Sequence, residues 1–244
     1  MSDMLFVDIE QKILDYGECK ISKKQLMTYL SALDYQKLRS KIKAMQEYRA
    51  FKIGDRDMEV VYITGQSGSG KTVFAKYLAE KLHFDYFVSG SGDDFLDGYD
   101  KEECIILDDF RASSMRFAEM LKMIDNNTNS TVRSRYYNKD ISNCRLMIMT
   151  SIYEPCDLYQ FFKSDDGDTP MKEPIMQFYR RLGNHFFAIA SNGDIEEFAT
   201  DSDDMFKSTK TGAKLGNINE VFSELNIVPG GVRTTSLIGN LLKK

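Results

Sequence analysis

The pattern of apolar and polar positions divides the chain into a helical first part and a later part of alternating strands and helices. Up to about residue 50, apolar residues recur at helical spacing. Residues 22–25, SKKQ, place a hydroxyl and a glutamine three positions apart, which predicts a capping box at a helix start. One face of a further helix, over residues 35–48, carries four apolar side chains: Leu38, Ile42, Met45 and Tyr48. We therefore expect an all-helical module over residues 1–52.

The next part of the chain alternates short, continuous apolar runs with helical segments. The runs lie at residues 60–63, 104–107, 146–149 and 186–190, and a further short strand, which contains Asp85, is predicted at residues 84–88. Helical patterns follow at residues 73–78, 117–124 and 175–182. Continuous apolar runs that end in polar residues are typical of strands buried on both faces of a parallel sheet. We predict an α/β domain over residues 53–195, followed at residues 196–244 by an acidic, then Ser/Thr/Gly/Lys-rich tail that is loosely ordered.

Composition and charge narrow the classes of protein. Of the 244 residues, 42% are hydrophobic and 28% are charged, which is ordinary for a globular protein with a core. No apolar run is long enough to cross a bilayer, so no membrane contact is expected. The four cysteines are widely spaced and the two histidines stand apart, so neither disulfides nor a histidine-built metal site is expected. The net charge of −5 argues against nucleic-acid binding over the whole surface.

The strongest motif is the sequence GQSGSGKT directly after the first predicted strand. It has the G-x-x-x-x-G-K-T spacing of a phosphate-binding loop in the required strand–loop–helix context. Its glycines let backbone N–H groups turn toward a polyphosphate, its lysine reaches the β- and γ-phosphates, and its threonine hydroxyl binds Mg²⁺. The alternative is a plain glycine turn between two core elements. We predict an ATP and Mg²⁺ site from Gly65, Gln66, Ser67, Gly68, Ser69, Gly70, Lys71 and Thr72.

Two acids follow the buried run at residues 104–107. An acid at the tip of a buried strand can hold Mg²⁺, and a second acid beside it can polarise an attacking water. We assign Asp108 to the metal and Asp109 to the water. Two acids in an exposed turn are the alternative, but the phosphate loop upstream disfavours it.

Further polar residues are candidates for the same site. Thr150 and Ser151 follow the run at residues 146–149, where related ATPases place a polar sensor of the γ-phosphate. Arg180 and Arg181 are adjacent on a predicted helix, so one can turn to its own scaffold while the other projects across a subunit boundary. An arginine that reaches a neighbour's γ-phosphate neutralises charge in the transition state. A purely structural role is the alternative for either arginine.

A basic and aromatic segment between these elements has the character of a hairpin, with a turn predicted at Asn-Lys-Asp, residues 138–140. Cations and aromatic rings on a protruding loop suit single-stranded DNA, because phosphates pair with the cations and bases stack on the rings. A solvated hairpin tip is the alternative. Tyr136 and Lys139 also match the Y-x-x-K of rolling-circle nickases, a role rejected because the chain has no histidine-bound metal site beside the tyrosine. The predicted DNA contacts are Arg133, Arg135, Tyr136, Tyr137, Asn138 and Lys139.

Taken together, GQSGSGKT, ILDDFR, the basic hairpin, IMTS and QFYRRL resemble the superfamily 3 helicases over about residues 20–190. The likeness is to the helicase part of replication initiator (Rep) proteins of rolling-circle plasmids and small circular DNA viruses. It implies a three-layer AAA+ ATPase that follows a helical oligomerisation module. It also implies a ring, with a hexamer as the expected size, that moves 3′ to 5′ along one DNA strand. It further implies that Lys71, Thr72, Asp108 and Asp109 act in cis. Arg180 or Arg181 would act in trans, with Lys139 gripping DNA at the hairpin tip.

Two departures from that family, and two rival functions, stay open. Ile152 stands where an asparagine is usual after the sensor strand, which leaves sensor duty to Thr150 or Ser151. No histidine-metal endonuclease precedes the module, so a fused or separate nickase domain is an expected partner. The rivals are a nucleotide-gated DNA-binding scaffold or loader without unwinding activity and, less favoured, a P-loop kinase. The resemblance implies the cytoplasm of a bacterial host, or the host nucleus for a eukaryotic virus.

Overall fold

The first part of the protein is helical, as its sequence predicts. The computed structural model describes residues 2–53, 58–89, 95–125, 131–132, 139–165, 172–183, 185–200 and 208–224. Helices α1, α2 and α3 span Ser2–Gly17, Lys23–Thr28 and Ala32–Ile53. The predicted capping box is confirmed, since Ser22 Oγ accepts from the Gln25 N–H and the Gln25 side chain accepts from the Ser22 N–H. No described helix is both long and apolar enough to span a membrane.

The three helices enclose a small apolar core of their own. Its buried members are Ile13, Tyr16, Leu26, Leu38 and Ile42. The predicted apolar face of α3 is wrong at its last position, because Tyr48 is 43% exposed. The next residue, Arg49, is the buried one, at 1%. The helix therefore turns a cation, not the tyrosine, toward the rest of the protein.

The second part is an α/β domain built on a seven-stranded sheet. Five strands run parallel: β1 (Glu59–Gly65), β2 (Tyr86–Ser89), β3 (Cys104–Leu107), β6 (Leu146–Ser151) and β7 (His185–Ile189). Antiparallel β8 (Asp194–Thr200) and β9 (Ser208–Asn217) extend it, giving the order β2-β3-β6-β1-β7-β8-β9. The remaining elements are α4 (Lys71–Lys81), the short 3₁₀ helix Ala112–Ser114, α5 (Phe117–Met123), β4 (Thr131–Val132), β5 (Lys139–Asp140), α6 (Pro155–Asp165), α7 (Met176–Arg181) and α8 (Ile218–Glu224).

Helices cover both faces of this sheet, so the predicted three-layer α/β class is confirmed. Successive residues of β3 enter different cores, since side chains alternate along a strand. Ile105 and Leu107 belong to a core that includes residues of α5, α6 and α7. Cys104 and Ile106 belong to a core that includes residues of α4 and α8. All four β3 residues are fully buried, which explains the continuous apolar run in the sequence.

The expectation of a loosely ordered tail after residue 195 is wrong for residues 196–200 and 208–224. These residues form most of β8, all of β9, and α8. The Phe198 ring stacks on Phe186 of β7 with centroids 5.3 Å apart, and Ile218 and Val221 of α8 enter the core beside α4. Only a few apolar residues anchor these elements, so their polar composition gave no sign of strands or a helix in the sequence. Residues 201–207 and 225–244 lie outside the described part.

The predicted hairpin exists, but its turn is misplaced in the sequence interpretation. Val132 pairs with Lys139 and Thr131 pairs with Asp140, so Lys139 lies in strand β5 and not at the tip. Asp140 is held at the base, where its carboxylate accepts from the Ser142 N–H and pairs with Lys101. Ile141, which directly follows β5, is fully buried. The predicted contacts Arg133, Arg135, Tyr136, Tyr137 and Asn138 lie outside the described residues.

Candidate nucleotide site

The loop between β1 and α4 has the backbone geometry that its glycines permit. A side-chain carbon at Gly65 would meet Ser69 Oγ at 2.8 Å and the Ile189 carbonyl oxygen at 3.0 Å, so only glycine fits there. Gly70 caps α4 in the left-handed conformation, with φ of 94°. The loop therefore curls tightly over the end of β1, and α4 begins directly behind it with free N–H groups, which favour an anion.

Lys71 lies inside this loop. Its Nζ donates to the carbonyl oxygens of Gly65 and Gln66, both at 2.8 Å, and the residue is only 8% exposed. Burial lowers the pKa of the Lys71 ammonium, while the charges of Asp109 and Asp108 act in the opposite direction. The ammonium is thus held at the loop and faces the acids at the end of β3.

Asp108 is the centre of a hydrogen-bond network that joins three elements. Its Oδ1 accepts from Thr72 Oγ1 of α4 at 2.6 Å and from Thr150 Oγ1 of β6 at 2.8 Å. Its backbone N–H donates to Ser89 Oγ at the end of β2. Since β2, β3 and β6 are parallel neighbours, their carboxyl ends meet at one edge of the sheet. The phosphate loop and the acid predicted for the metal are brought together there.

Asp109 lies beside this network in a constrained backbone conformation. Its φ of 48° is in the left-handed region, which non-glycine residues seldom occupy. The Asp109 N–H donates to Thr150 Oγ1 at 3.0 Å, and Asp109 Oδ2 is 2.8 Å from Nη2 of Arg111. The Asp109 side chain is 47% exposed, so its carboxylate lies at the protein surface next to the partly buried Asp108 network.

The donor set fits Mg²⁺ with a bound triphosphate. The Thr72 hydroxyl and the Asp108 carboxylate supply hard oxygen ligands, which Mg²⁺ prefers. Among the described residues, no group of three or more acidic, histidine or cysteine side chains could hold an ion alone. Mg²⁺ usually takes one or two protein ligands and completes its shell with water and phosphate oxygens. The buried Ser69 Oγ, which has no hydrogen-bond partner in the described structure, faces the same loop.

The two sensor candidates, Thr150 and Ser151, have different hydrogen-bond partners. Thr150 belongs to the site, because its hydroxyl contacts both Asp108 and the backbone of Asp109. Ser151 points elsewhere, since its Oγ donates to the Phe110 carbonyl and accepts from the Tyr153 N–H. Both side chains are fully buried. The prediction of a nucleotide contact for Ser151 is therefore not supported by its geometry, and Thr150 is the candidate.

The two arginines of α7 also differ in their exposure and their contacts. Arg181 is 11% exposed, and its guanidinium pairs with Asp125 at 2.9 Å and donates to the Gln177 carbonyl. Arg180 is exposed in the last turn of the same helix. A role in trans for Arg181 conflicts with this packing, because its charge is already used within its own chain. Arg180 is the candidate for contact with a neighbouring subunit.

Three contributors to the site or its support had no role in the sequence interpretation. Ser89 supports the Asp108 backbone, Arg111 binds Asp109, and Glu103 before β3 forms a buried ion pair with Arg49. Arg111 lies within the ILDDFR motif, so its place beside the acids was a usable signal. Nothing in the sequence pattern marks Arg49 as a buried partner of Glu103.

Comparison with known proteins gives two similarities. Residues 61–153, which include the phosphate loop, Asp108 and Thr150, match the family model described as RNA helicase. The chain is also 40% identical over 148 residues to a protein named Replication protein from Onion yellows phytoplasma (strain OY-M). The aligned part covers 58% of this chain and 37% of that relative, so the chain spans well under half of the relative's length. The chain is thus similar to RNA helicases over its nucleotide site and to a replication protein over a longer region.

Proposed function

We propose that the protein is an ATP-dependent DNA helicase of a replication initiator from a plasmid or small circular DNA virus. The observation that carries the proposal is the network in which Asp108 accepts from both Thr72 and Thr150 beside the Lys71 loop. This arrangement suits hydrolysis of a nucleoside triphosphate. The similarities to RNA helicases and to a replication protein favour coupling of that hydrolysis to nucleic-acid unwinding.

The geometry supports a division of labour within one subunit. Lys71 would exchange its two loop carbonyls for β- and γ-phosphate oxygens, and the α4 N–H groups would bind the remaining charge. Thr72 and Asp108 would hold Mg²⁺, which neutralises charge on the phosphate oxygens. Asp109 would accept a proton from water as the water oxygen bonds to the γ-phosphorus and the bond to ADP breaks, giving ADP and phosphate.

The site is proposed to be completed by a second copy of the chain in a homo-oligomeric ring, with a hexamer as the expected size. Exposed Arg180 would reach the γ-phosphate held by the neighbouring subunit. Hydrolysis would then depend on assembly, because charge in the transition state is neutralised only at the boundary. The helical module of residues 2–53 is proposed to help hold the ring together.

Single-stranded DNA is the proposed track, with movement from 3′ to 5′. The β4–β5 hairpin would project cations and aromatic rings into the channel of the ring. Lys139, which lies in β5 and not at the tip, is proposed to contact a DNA phosphate. A fused or separate nickase domain would supply the DNA end on which the ring loads.

A strand-displacement assay with ATP tests this function. Duplexes with a 3′ single-stranded tail should be unwound and duplexes with a 5′ tail should not, and Lys71→Ala should abolish the activity. The same assay with an RNA duplex shows whether DNA or RNA is the substrate. Binding of DNA that depends on ATP but gives no displacement would support the scaffold or loader instead. Phosphate transfer to a small molecule would support a kinase.

The role of the hairpin is tested in the same assay with Lys139→Ala. We expect this variant to keep basal ATP turnover and lose unwinding, because the nucleotide site lies on the seven-stranded sheet while Lys139 belongs to the separate β4–β5 sheet. Lys101→Ala is a matched control, since Lys101 pairs with Asp140 at the base of the hairpin. Full unwinding by Lys139→Ala would contradict the DNA contact.

A further inference from the structure

The turn that follows Asp108 is fastened to the end of β6 at three points. The Asp109 N–H donates to Thr150 Oγ1 at 3.0 Å, and the Phe110 N–H donates to the Thr150 carbonyl at 2.7 Å. Ser151 Oγ donates to the Phe110 carbonyl at 2.9 Å. The left-handed backbone at Asp109 is therefore fixed, and the direction of its carboxylate is the main freedom left to this residue.

Arg111 restricts that freedom. Its Nη2 lies 2.8 Å from Asp109 Oδ2, and no hydrogen bond from the described residues reaches Oδ1 of Asp109. Asp109 directly follows Asp108, whose Oδ1 accepts from Thr72 Oγ1 at the start of α4, so Asp109 lies at the end of β3 that meets the phosphate loop. One carboxylate oxygen is thus held by Arg111, while the carboxylate as a whole stays on the side of the phosphate loop.

We propose that Arg111 is a positioning residue for ATP hydrolysis, which holds Asp109 Oδ2 so that Oδ1 faces the attacking water. This inference rests on the proposed function, since it needs Asp109 to accept the water's proton. A planar guanidinium suits the task, because its fixed fork orients a carboxylate more strictly than a flexible ammonium does. Arg111 itself touches no reacting atom and acts through Asp109.

The exposure of the pair separates this role from a structural one. The side chains of Arg111 and Asp109 are 53% and 47% exposed, and an exposed ion pair contributes little to folding. Loss of Arg111 should therefore leave the melting temperature nearly unchanged. A misdirected catalytic carboxylate, by contrast, lowers the rate steeply even for small displacements. Rate and stability should respond differently to the same substitution.

Steady-state ATP hydrolysis by the full chain, with single-stranded DNA and Mg²⁺, tests the proposal. Arg111→Ala should lower kcat by about tenfold with KM for ATP within about twofold of wild type. Arg111→Lys should recover part of the loss. Arg116→Ala is the matched control, because Arg116 is an exposed arginine five positions away with no ion pair among the described residues, and it should match wild type.

A double variant shows whether Arg111 acts through Asp109. Asp109→Ala combined with Arg111→Ala should turn over no more slowly than Asp109→Ala alone, since the group that Arg111 orients is gone. A further tenfold loss of kcat in the double variant, relative to Asp109→Ala, would overturn the proposal. An unchanged kcat or a raised KM for Arg111→Ala would overturn it as well. Wild-type kcat in Asp109→Ala would overturn it too, by removing Asp109 from the mechanism. Absence of ATP turnover in the wild type would contradict the proposed function itself.

Discussion

Arg49 of helix α3 and Glu103, the residue just before strand β3, form an ion pair in which each side chain is 1% exposed. Arg49 also donates to the carbonyl oxygens of Tyr16 and Ile21 at 2.9 and 3.0 Å, and its guanidinium lies over the Tyr16 ring. The Glu103 carbonyl accepts from the N–H groups of Arg145 and Leu146. One arginine therefore ties the helical module to the base of β3 and β6, the strands whose other ends carry Asp108 and Thr150.

Removal of Arg49 is predicted to be costly for stability. Above about pH 7, where Glu103 is ionised, Arg49→Met leaves its carboxylate buried without its counter-charge, which lowers the free energy of unfolding by about 3–5 kcal/mol. The double variant Arg49→Met/Glu103→Leu should recover much of this loss, because no unpaired charge is left. Urea unfolding measures the free energy of unfolding of the single and the double variant. Lys41→Met, at a pair with Glu10 whose side chains are 58% and 42% exposed, is the control and should change little.

The carboxyl group of Glu103 also predicts how the stability of the protein depends on pH. Burial raises the pKa of Glu103 to about 7, against a lowering effect of Arg49. Since the folded-state pKa lies above the unfolded value, the folded state binds the extra proton between them. The stabilising contribution is complete at a pH below about 4.5 and is lost as the pH rises through about 7.

The measurement is the free energy of unfolding of wild type and Glu103→Gln across that pH range. The wild type should lose stability relative to Glu103→Gln as the pH rises from about 5 to 8, because the glutamine does not titrate. Parallel curves for the two proteins would show that Glu103 keeps one protonation state throughout.

Thr150 is predicted to act in turnover, not in nucleotide binding. Thr150→Val keeps the shape of the side chain but removes the hydroxyl that contacts Asp108 and the Asp109 N–H. We expect kcat for ATP to fall by about tenfold or more, with ATP affinity little changed. Thr150→Ser, which keeps the hydroxyl, should stay close to wild type. Equal losses in the valine and serine variants would show that packing, and not the hydroxyl, matters.

The arginines of α7 are predicted to give opposite phenotypes. Arg181→Ala should lower the melting temperature, because it removes a largely buried guanidinium together with its ion pair to Asp125 and its hydrogen bond to the Gln177 carbonyl. Arg180→Ala should keep the melting temperature and lower ATP turnover. In a mixture of Arg180→Ala and Lys71→Ala proteins, some subunit boundaries combine the intact loop of an Arg180→Ala subunit with the intact arginine of a Lys71→Ala subunit. Part of the ATP turnover should therefore return. No recovery would argue against action in trans.

The sequence was sufficient for the parts of the site that local patterns specify. The glycine spacing of the loop, the fully apolar β3 and the acids after it follow from rules that act over a few residues, and the sheet confirms their placement. The Asn-Lys-Asp segment has the local composition of a turn, whereas pairing with β4 places its Lys139 and Asp140 in strand β5. Arg49 was unpredictable for a similar reason, since its partner is 54 residues away and only the fold brings the two together.

The central claim is that the Asp108 network hydrolyses ATP to drive action on DNA, and the most direct measurement is the ATP turnover rate with and without single-stranded DNA. We predict that the wild type hydrolyses ATP in a Mg²⁺-dependent manner and is stimulated several-fold by the DNA. Asp108→Ala should abolish turnover under both conditions, while the nearby control Arg116→Ala should match the wild type. Turnover in Asp108→Ala equal to that of the wild type, or a wild-type rate unaffected by DNA, would contradict the claim.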